Sequence, residues 1–201
     1  MAAQAAPRAD GDGLTAKNPM DVPADRMVII NGTYYGISFE WFEEINPDQQ
    51  PMYFSITLPN TVTTVFDDGF RDSWSSGKEN NGAATYYNGS RPTDWARYNV
   101  VSIDFSEATS LTKINKQAAM HNTYLSGTLD LSKTKIKTIE KSAFSGCTGL
   151  TGVVLPKTLE VLGAADGSSG SVFNECTNLQ FLCTADESST PPHQRSNSHL
   201  V

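Results

Sequence analysis

The sequence predicts a short repeat solenoid, in which stacked units are built from short β-strands with irregular or short helical returns. About four units are expected, behind an N-terminal β-hairpin cap and between disordered ends. Two observations carry this. Apolar residues recur at a fixed interval: Leu111, Ile114, Ala118 and Leu125 each lie 25 positions before Ile136, Ile139, Ala143 and Leu150. Short alternating runs, Ile103-Asp-Phe105 and Leu129-Asp-Leu131, open these intervals, and alternation in a strand sends both apolar residues to one face. No single unit can bury that face alone, so neighbours must stack.

Taken in order, residues 1–26 are rich in Ala, Asp, Gly and Pro without periodicity and read as a disordered segment. Residues 27–53 form a β-rich cap: Val28, Ile30, Tyr34, Ile37, Phe39, Trp41 and Phe42 flank Asn31-Gly32, a strong hairpin-turn signal. The solenoid spans 54–183. Its first, worn copy is Ile56-Thr-Leu58 through Val62, Val65 and Phe70. An insertion at 71–99 follows, carrying Trp74, Tyr86, Tyr87, Trp95 and Tyr98 among Ser, Gly and Asn, and a loop of this length is usually functional or disordered. Regular units then start at Ile103, Leu129 and Val153. The last is interrupted by a Gly-rich insertion from Gly163 to Gly170, resumes at Val172-Phe173, and is followed by Leu179-Gln-Phe181-Leu182, where a fifth copy would begin. Residues 184–201 read as a disordered tail.

Composition excludes several function classes. Lys plus Arg total 15 against 22 for Asp plus Glu, a net charge of −7. No basic block is concentrated anywhere, which argues against a nucleic-acid or anionic-membrane surface. The longest apolar stretches, Met27 to Ile30 and Val153 to Leu155, are far shorter than the roughly 20 residues a membrane span needs. The N-terminus has small residues but no apolar core of a secretory signal. Three cysteines, Cys147, Cys176 and Cys183, leave at least one free thiol and make no disulfide framework.

The string Ile139-Glu-Lys-Ser-Ala143-Phe144-Ser-Gly-Cys147-Thr-Gly-Leu150-Thr-Gly-Val153-Val154-Leu155-Pro156 closely resembles the unit of BspA-like leucine-rich-repeat surface proteins. The resemblance covers about residues 54–183 and is strongest from 103 to 182. The first copy lacks the Ala-Phe step and the cysteine, and the copy at 103 has Ala118-Ala119-Met120 and no cysteine. The resemblance implies a leucine-rich-repeat solenoid, an extracellular or cell-surface location, and adhesion to host or neighbouring-cell surface proteins or glycans.

Cys147 and Cys176 hold the same place in successive units, Phe-Ser-Gly-Cys-Thr and Phe-Asn-Glu-Cys-Thr, so they read as small buried side chains, with a bridge between rungs as the alternative. His121 and the cysteines have no metal-ligand spacing, and there is no G-x-S-x-G nucleophile elbow. The Gly163 to Gly170 stretch lacks the Lys-Ser/Thr ending of a phosphate loop. Glu40, Glu43 and Glu44 beside Trp41 could mimic a glycosidase carboxylate pair, but a solvated face is favoured. Tentative binding residues are Tyr86, Tyr87, Trp95 and Tyr98 of the aromatic interval, either as contacts or tucked against the solenoid, with Asp104 and Asp130 turned outward mid-strand beside Ser102 and Thr128. No cofactor, metal, nucleic acid or membrane span is expected. The expected function is a non-catalytic surface or secreted interaction module. The alternatives are a structural spacer fragment of a larger surface protein, or the accessory domain of a glycan-active enzyme.

Overall fold

The computed structural model describes residues 17–48, 50–70, 98–164 and 171–185. The segments 1–16, 71–97, 165–170 and 186–201 therefore lie outside the described residues, and with them most of both expected disordered ends and both insertions. In chain order the elements are β1 (Met20–Asp21), a 3-10 turn (Ala24–Arg26), β2 (Met27–Ile30), β3 (Thr33–Ile37), α1 (Phe39–Ile45), β4 (Met52–Thr57) and β5 (Thr64–Val65). They continue as β6 (Tyr98–Asp104), β7 (Lys113–Ile114), β8 (Gly127–Asp130), β9 (Thr138–Ile139), β10 (Leu150–Leu155), β11 (Val161–Leu162) and β12 (Phe181–Thr184).

The N-terminal hairpin forms where Asn31-Gly32 supplies two consecutive positive φ angles, 49° and 77°. Those angles suit a two-residue hairpin turn. β2 and β3 pair antiparallel around it, and β3 then pairs parallel with β5. A short helix follows, in the stretch around Glu40 to Glu44 read as an edge strand or cap helix within the β-rich cap. The Ser38 hydroxyl caps it, accepting from the Trp41 N–H at 3.3 Å, and Trp41 and Phe42 turn into the core.

From β4 onward the chain coils in parallel rungs. Long strands run β1–β4–β6 and β8–β10–β12, each set parallel. The Ser126 N–H to Val101 carbonyl bond (3.1 Å) joins the two sets. The two-residue strands β5, β7, β9 and β11 extend from β3 as a second ladder, also parallel. A third line of backbone bonds runs through the returns: Phe70 N–H to Ala118 O, Ala119 N–H to Ala143 O and Phe144 N–H to Val172 O, at 2.7 to 3.0 Å. Among the described residues these returns are turns, with no helix in them. Backbone polar groups that a buried coil would orphan are thus taken up by the next rung.

Leu111, Ile114, Ala118, Leu125 and their counterparts Ile136, Ile139, Ala143 and Leu150 are all at most 1% exposed. They belong to one apolar cluster running from Val22 to Cys176. Each buried Leu or Ile contributes about 1.5–3 kcal/mol relative to an exposed one, so the 25-residue offset between these two units is an offset in burial energy. Phe144 stacks on Phe173 of the following rung, centroids 5.7 Å apart.

Three boundaries differ from the sequence reading. Residues 17–26, expected to be disordered, supply β1 and the 3-10 turn, because Val22 reaches the core and Met20 packs against it. Tyr98 and Asn99, given to the insertion, already belong to β6, where Met52 and Tyr53 pair with them. Thr184, given to the tail, closes β12 opposite Leu155.

Candidate interaction face on the long-strand ladder

Alternation along β4, β6 and β8 divides two populations of side chains. Phe54, Ile56, Ile103 and Leu129 go inward and are buried. Tyr53, Ser55 and Thr57, then Ser102 and Asp104, then Thr128 and Asp130, form the other face. Register lines them up in rows, with Ser55 beside Ser102 and Thr57 beside Asp104. An irregularity between Phe54 and Ser55 makes Val101 the extra residue of β6. Asp21 extends the Ser55–Ser102 row onto β1, and its carboxylate accepts from the Ser55 hydroxyl.

Asp104 and Asp130 do face outward, but they end β6 and β8 and do not sit mid-strand. Each performs the same local task. The Asp104 carboxylate accepts from the Ser106 N–H at 2.8 Å, and the Asp130 carboxylate from the Ser132 N–H at 2.9 Å. Such Asx turns hold a carboxylate in place while leaving its remaining acceptor capacity to solvent.

At the other end of these strands stands an aromatic pair that reasoning from repeats overlooked. Tyr53 and Tyr124 meet edge to face, centroids 5.4 Å apart and planes at 71°. Tyr124 keeps 40% of its surface exposed. Burial, then the neighbouring Tyr124 phenol and the hydrogen bond with it, push the Tyr53 hydroxyl above its ordinary pKa. Towards the C-terminal rungs the same face becomes apolar. Val154, in register with Asp130 and Cys183, is buried, and the Phe181 ring lies so close over Gly152 that a Cβ there would stand 2.1 Å from it.

Charge is segregated between the two ladders. None of the six long-ladder strands contains Lys or Arg. On the short-strand flank, cations and acids of successive rungs pair: Lys113 with Glu140 at 2.7 Å, Lys116 with Asp67 at 3.5 Å, and Lys137 with Glu160 at 3.0 Å. Desolvation alone would raise the Glu140 pKa, but hydrogen bonds from Lys113 and the Lys116 N–H, with both positive charges, hold it below the usual range.

Cys147 and Cys176 are buried free thiols with a structural role. The Cys147 Sγ donates to the Ala119 carbonyl at 3.0 Å and the Cys176 Sγ to the Phe144 carbonyl at 3.1 Å. Each therefore reaches back to the preceding rung. The copy at 103 looked degenerate without a cysteine, but Asn122 takes that role: its amide donates to the Phe70 and Val100 carbonyls at 3.1 and 3.0 Å. Its side-chain oxygen accepts from the Tyr124 and Leu125 N–H groups at 3.3 and 3.1 Å. Burial pushes the Cys176 thiol pKa up, with a backbone bond at Cys147 opposing, so it is held as an unreactive thiol.

The remaining candidates fare differently. Tyr86, Tyr87 and Trp95 lie outside the described residues. Tyr98 is corrected to a packing residue, since its side chain is buried against Phe54 and Phe42 at centroid distances of 5.1 and 6.2 Å. Glu40, Glu43 and Glu44 fall on α1, but Trp41 beside them is in the core and offers no ring for a sugar to stack on. Among the described residues no group of His, Cys, Asp and Glu is placed to hold a metal ion. No helix among them is long and apolar enough to cross a membrane.

The model of the BspA-type leucine-rich-repeat region matches residues 95–189, with six copies. No curated protein matches the chain.

Proposed function

From the match of residues 95–189 to the BspA-type leucine-rich-repeat region, we propose that the chain belongs to that family and is a non-catalytic interaction module, secreted or displayed at a cell surface. In this reading the long-strand ladder is its contact face, and its partners are proteins or glycans of host or neighbouring cells. The family is generally a non-catalytic, surface-associated repeat module, which supports the assignment. Counted by rung, the units are β4/β5, β6/β7, β8/β9 and β10/β11, with β12 opening a fifth. The β2–β3 hairpin with α1 acts as the N-terminal cap of that array.

The observation that carries this reading is the division of labour along β4, β6 and β8. Every inward position is spent on packing. The outward rows of Tyr53, Ser55, Thr57, Ser102, Asp104, Thr128 and Asp130 have no such duty on a rigid sheet. Rigid display lowers the ordering cost of association. Tyr86, Tyr87 and Trp95, in the segment that runs into β6, join Asp104 and Asp130 as proposed contacts.

The test is binding of the full chain to cultured cells and to extracellular-matrix proteins, compared with Asp104→Ala/Asp130→Ala and with Tyr86→Ala/Tyr87→Ala/Trp95→Ala. The fold is followed by circular dichroism. Binding should drop in both variants with the spectrum retained. Binding equal to wild type in both would sink the contact-face assignment, and no binding by the wild type would leave a structural spacer as the better description.

A further inference from the structure

We infer that Tyr53 and Tyr124, with the hydroxyls of Ser55, Ser102 and Thr128 on the same sheet face, form a subsite for an uncharged oligosaccharide. This rests on the ladder being a contact face, and narrows it to one place and one ligand chemistry.

The ligand class follows from what the face offers and lacks. Tyr124 is one of two large apolar or aromatic side chains left exposed among the described residues, the other being Leu162 on the opposite flank. It is not loosely exposed: its edge-to-face contact with Tyr53, centroids 5.4 Å apart, holds the ring. A fixed, half-open phenol ring is suited to the C–H face of a pyranose. The hydroxyls on both rings suit the sugar's equatorial rim, because Tyr combines an apolar body with a polar tip.

Backbone chemistry argues against an extended peptide at this place. β4 pairs with β6 along its length and with β1 at Phe54 and Ser55, while the other side of β6 faces the chain entering β8, bonded to it through Ser126, and β8 pairs with β10. A peptide adding itself as a strand needs a long free edge, and beside the platform β1 already takes the outer edge of β4 at Phe54 and Ser55 while the Ser126 segment bonds to β6. Recognition here must use side chains alone, and those available are hydroxyls in register, Ser55 beside Ser102 with Thr128 on the next long strand. Ser102 and Thr128 can both donate and accept, and Ser55, whose O–H is given to Asp21, can still accept, which is what a sugar's hydroxyls require.

Charge selects among sugars. With Asp21, Asp104 and Asp130 on the face and no Lys or Arg in the six strands, a sulfated, phosphorylated or sialylated ligand would meet like charge with no counter-ion. An uncharged glycan meets no such penalty.

The experiment measures binding of the full chain to short neutral gluco-, manno- and N-acetylglucosamine oligosaccharides. Their sulfated counterparts and a Lys/Arg-rich peptide are run alongside. A neutral oligosaccharide should bind with little dependence on salt, and its sulfated form should bind more weakly. Tyr124→Ala should weaken binding about tenfold or more, the loss expected of one stacking ring. Tyr53→Phe keeps both rings and removes one hydroxyl, so it should weaken binding less, and Lys135→Ala on the opposite flank should change nothing.

Absence of neutral-glycan binding, or binding that Tyr124→Ala leaves intact, overturns the inference. So does salt-sensitive binding of the basic peptide alone. If cells and matrix proteins are still bound through Asp104 and Asp130 in that event, the contact-face reading stands while the sugar subsite falls.

Discussion

Asn122 offers the sharpest test of how the rungs are tied together. Its side chain is fully buried and makes four hydrogen bonds: two donated to the Phe70 and Val100 carbonyls, two accepted from the Tyr124 and Leu125 N–H groups. Asn122→Ala removes all four. Water can replace the partner of the Tyr124 N–H, which is only partly buried. The other three groups are left in the interior, where each lost partner costs about 1–3 kcal/mol, so a loss of at least about 3 kcal/mol is expected. That is a large share of the roughly 5–15 kcal/mol that keeps a domain folded.

Asn122→Cys should cost about half as much. The thiol can donate to the Phe70 carbonyl as Cys147 does to Ala119, and the Leu125 N–H can turn to the backbone as the Leu150 N–H does to the Cys147 carbonyl. Asn122→Asp should be the worst at neutral pH, because it points an anion at two carbonyls. Its folded-state pKa would be raised, so the variant should recover relative to wild type as pH falls and the carboxyl regains a proton to donate. Urea unfolding followed by far-UV circular dichroism measures all three. If Asn122→Ala lies within about 0.5 kcal/mol of wild type, the idea that this side chain bridges the rungs is wrong.

Other perturbations give equally definite outcomes. Gly152→Ala should destabilise by about 1–2 kcal/mol, since the Phe181 ring that must yield is the far end of a side chain; in a Phe181→Ala background the cost should vanish, and persistence there would show that the backbone is the obstacle. Glu140 has a lowered pKa, so its ionised form adds stability above the usual carboxylate range, about pH 4, and that part is lost as pH falls through and below it. Glu140→Gln should therefore flatten the acid side of the stability profile slightly, and an unchanged profile would refute the role given to Lys113 and Lys116. Lys137→Ala breaks a pair whose side chains are 61% and 63% exposed; the loss should stay under about 1 kcal/mol and shrink further in high salt, and a larger, salt-independent loss would mean that its aliphatic stem is what packs.

The rungs were legible because burial has a period. The four residues from Leu111 to Leu125 and their partners 25 positions on are all inaccessible in the structure, and the Asn31-Gly32 turn announced its hairpin through backbone angles few other residue pairs accept. What escaped was role without resemblance. Asn122 lies 25 positions before Cys147, so the period pointed to it, yet a search for sulfur passes over an amide doing the same work. The face fared worse, because exposure leaves no periodic trace. Tyr98 looked like a surface aromatic but is core, since β6 begins there. Tyr53 and Tyr124, 71 positions apart, are brought together only by coiling. Residues 17–26 misled for a thermodynamic reason: two apolar side chains, Met20 and Val22, are too few to mark a folded segment, yet enough once β4 offers an edge.

The side chains of Asn122, Cys147 and Cys176 tie each rung to the carbonyls of the rung before, so a stretched stack is resisted rung by rung. A pull on the C-terminal end loads each rung against its predecessor, so rungs should peel off singly from that end, the Cys176 tie giving way before the Cys147 tie. Release of a 25-residue unit such as that from Asn122 to Cys147 would lengthen the chain by about 80 Å, from an extended reach of roughly 3.3–3.6 Å per residue less one strand spacing of about 5 Å, and the longer unit from Cys147 to Cys176 by somewhat more. Under flow, such a stack would act as a shock absorber, yielding in steps while the rungs nearer the N-terminus stay folded.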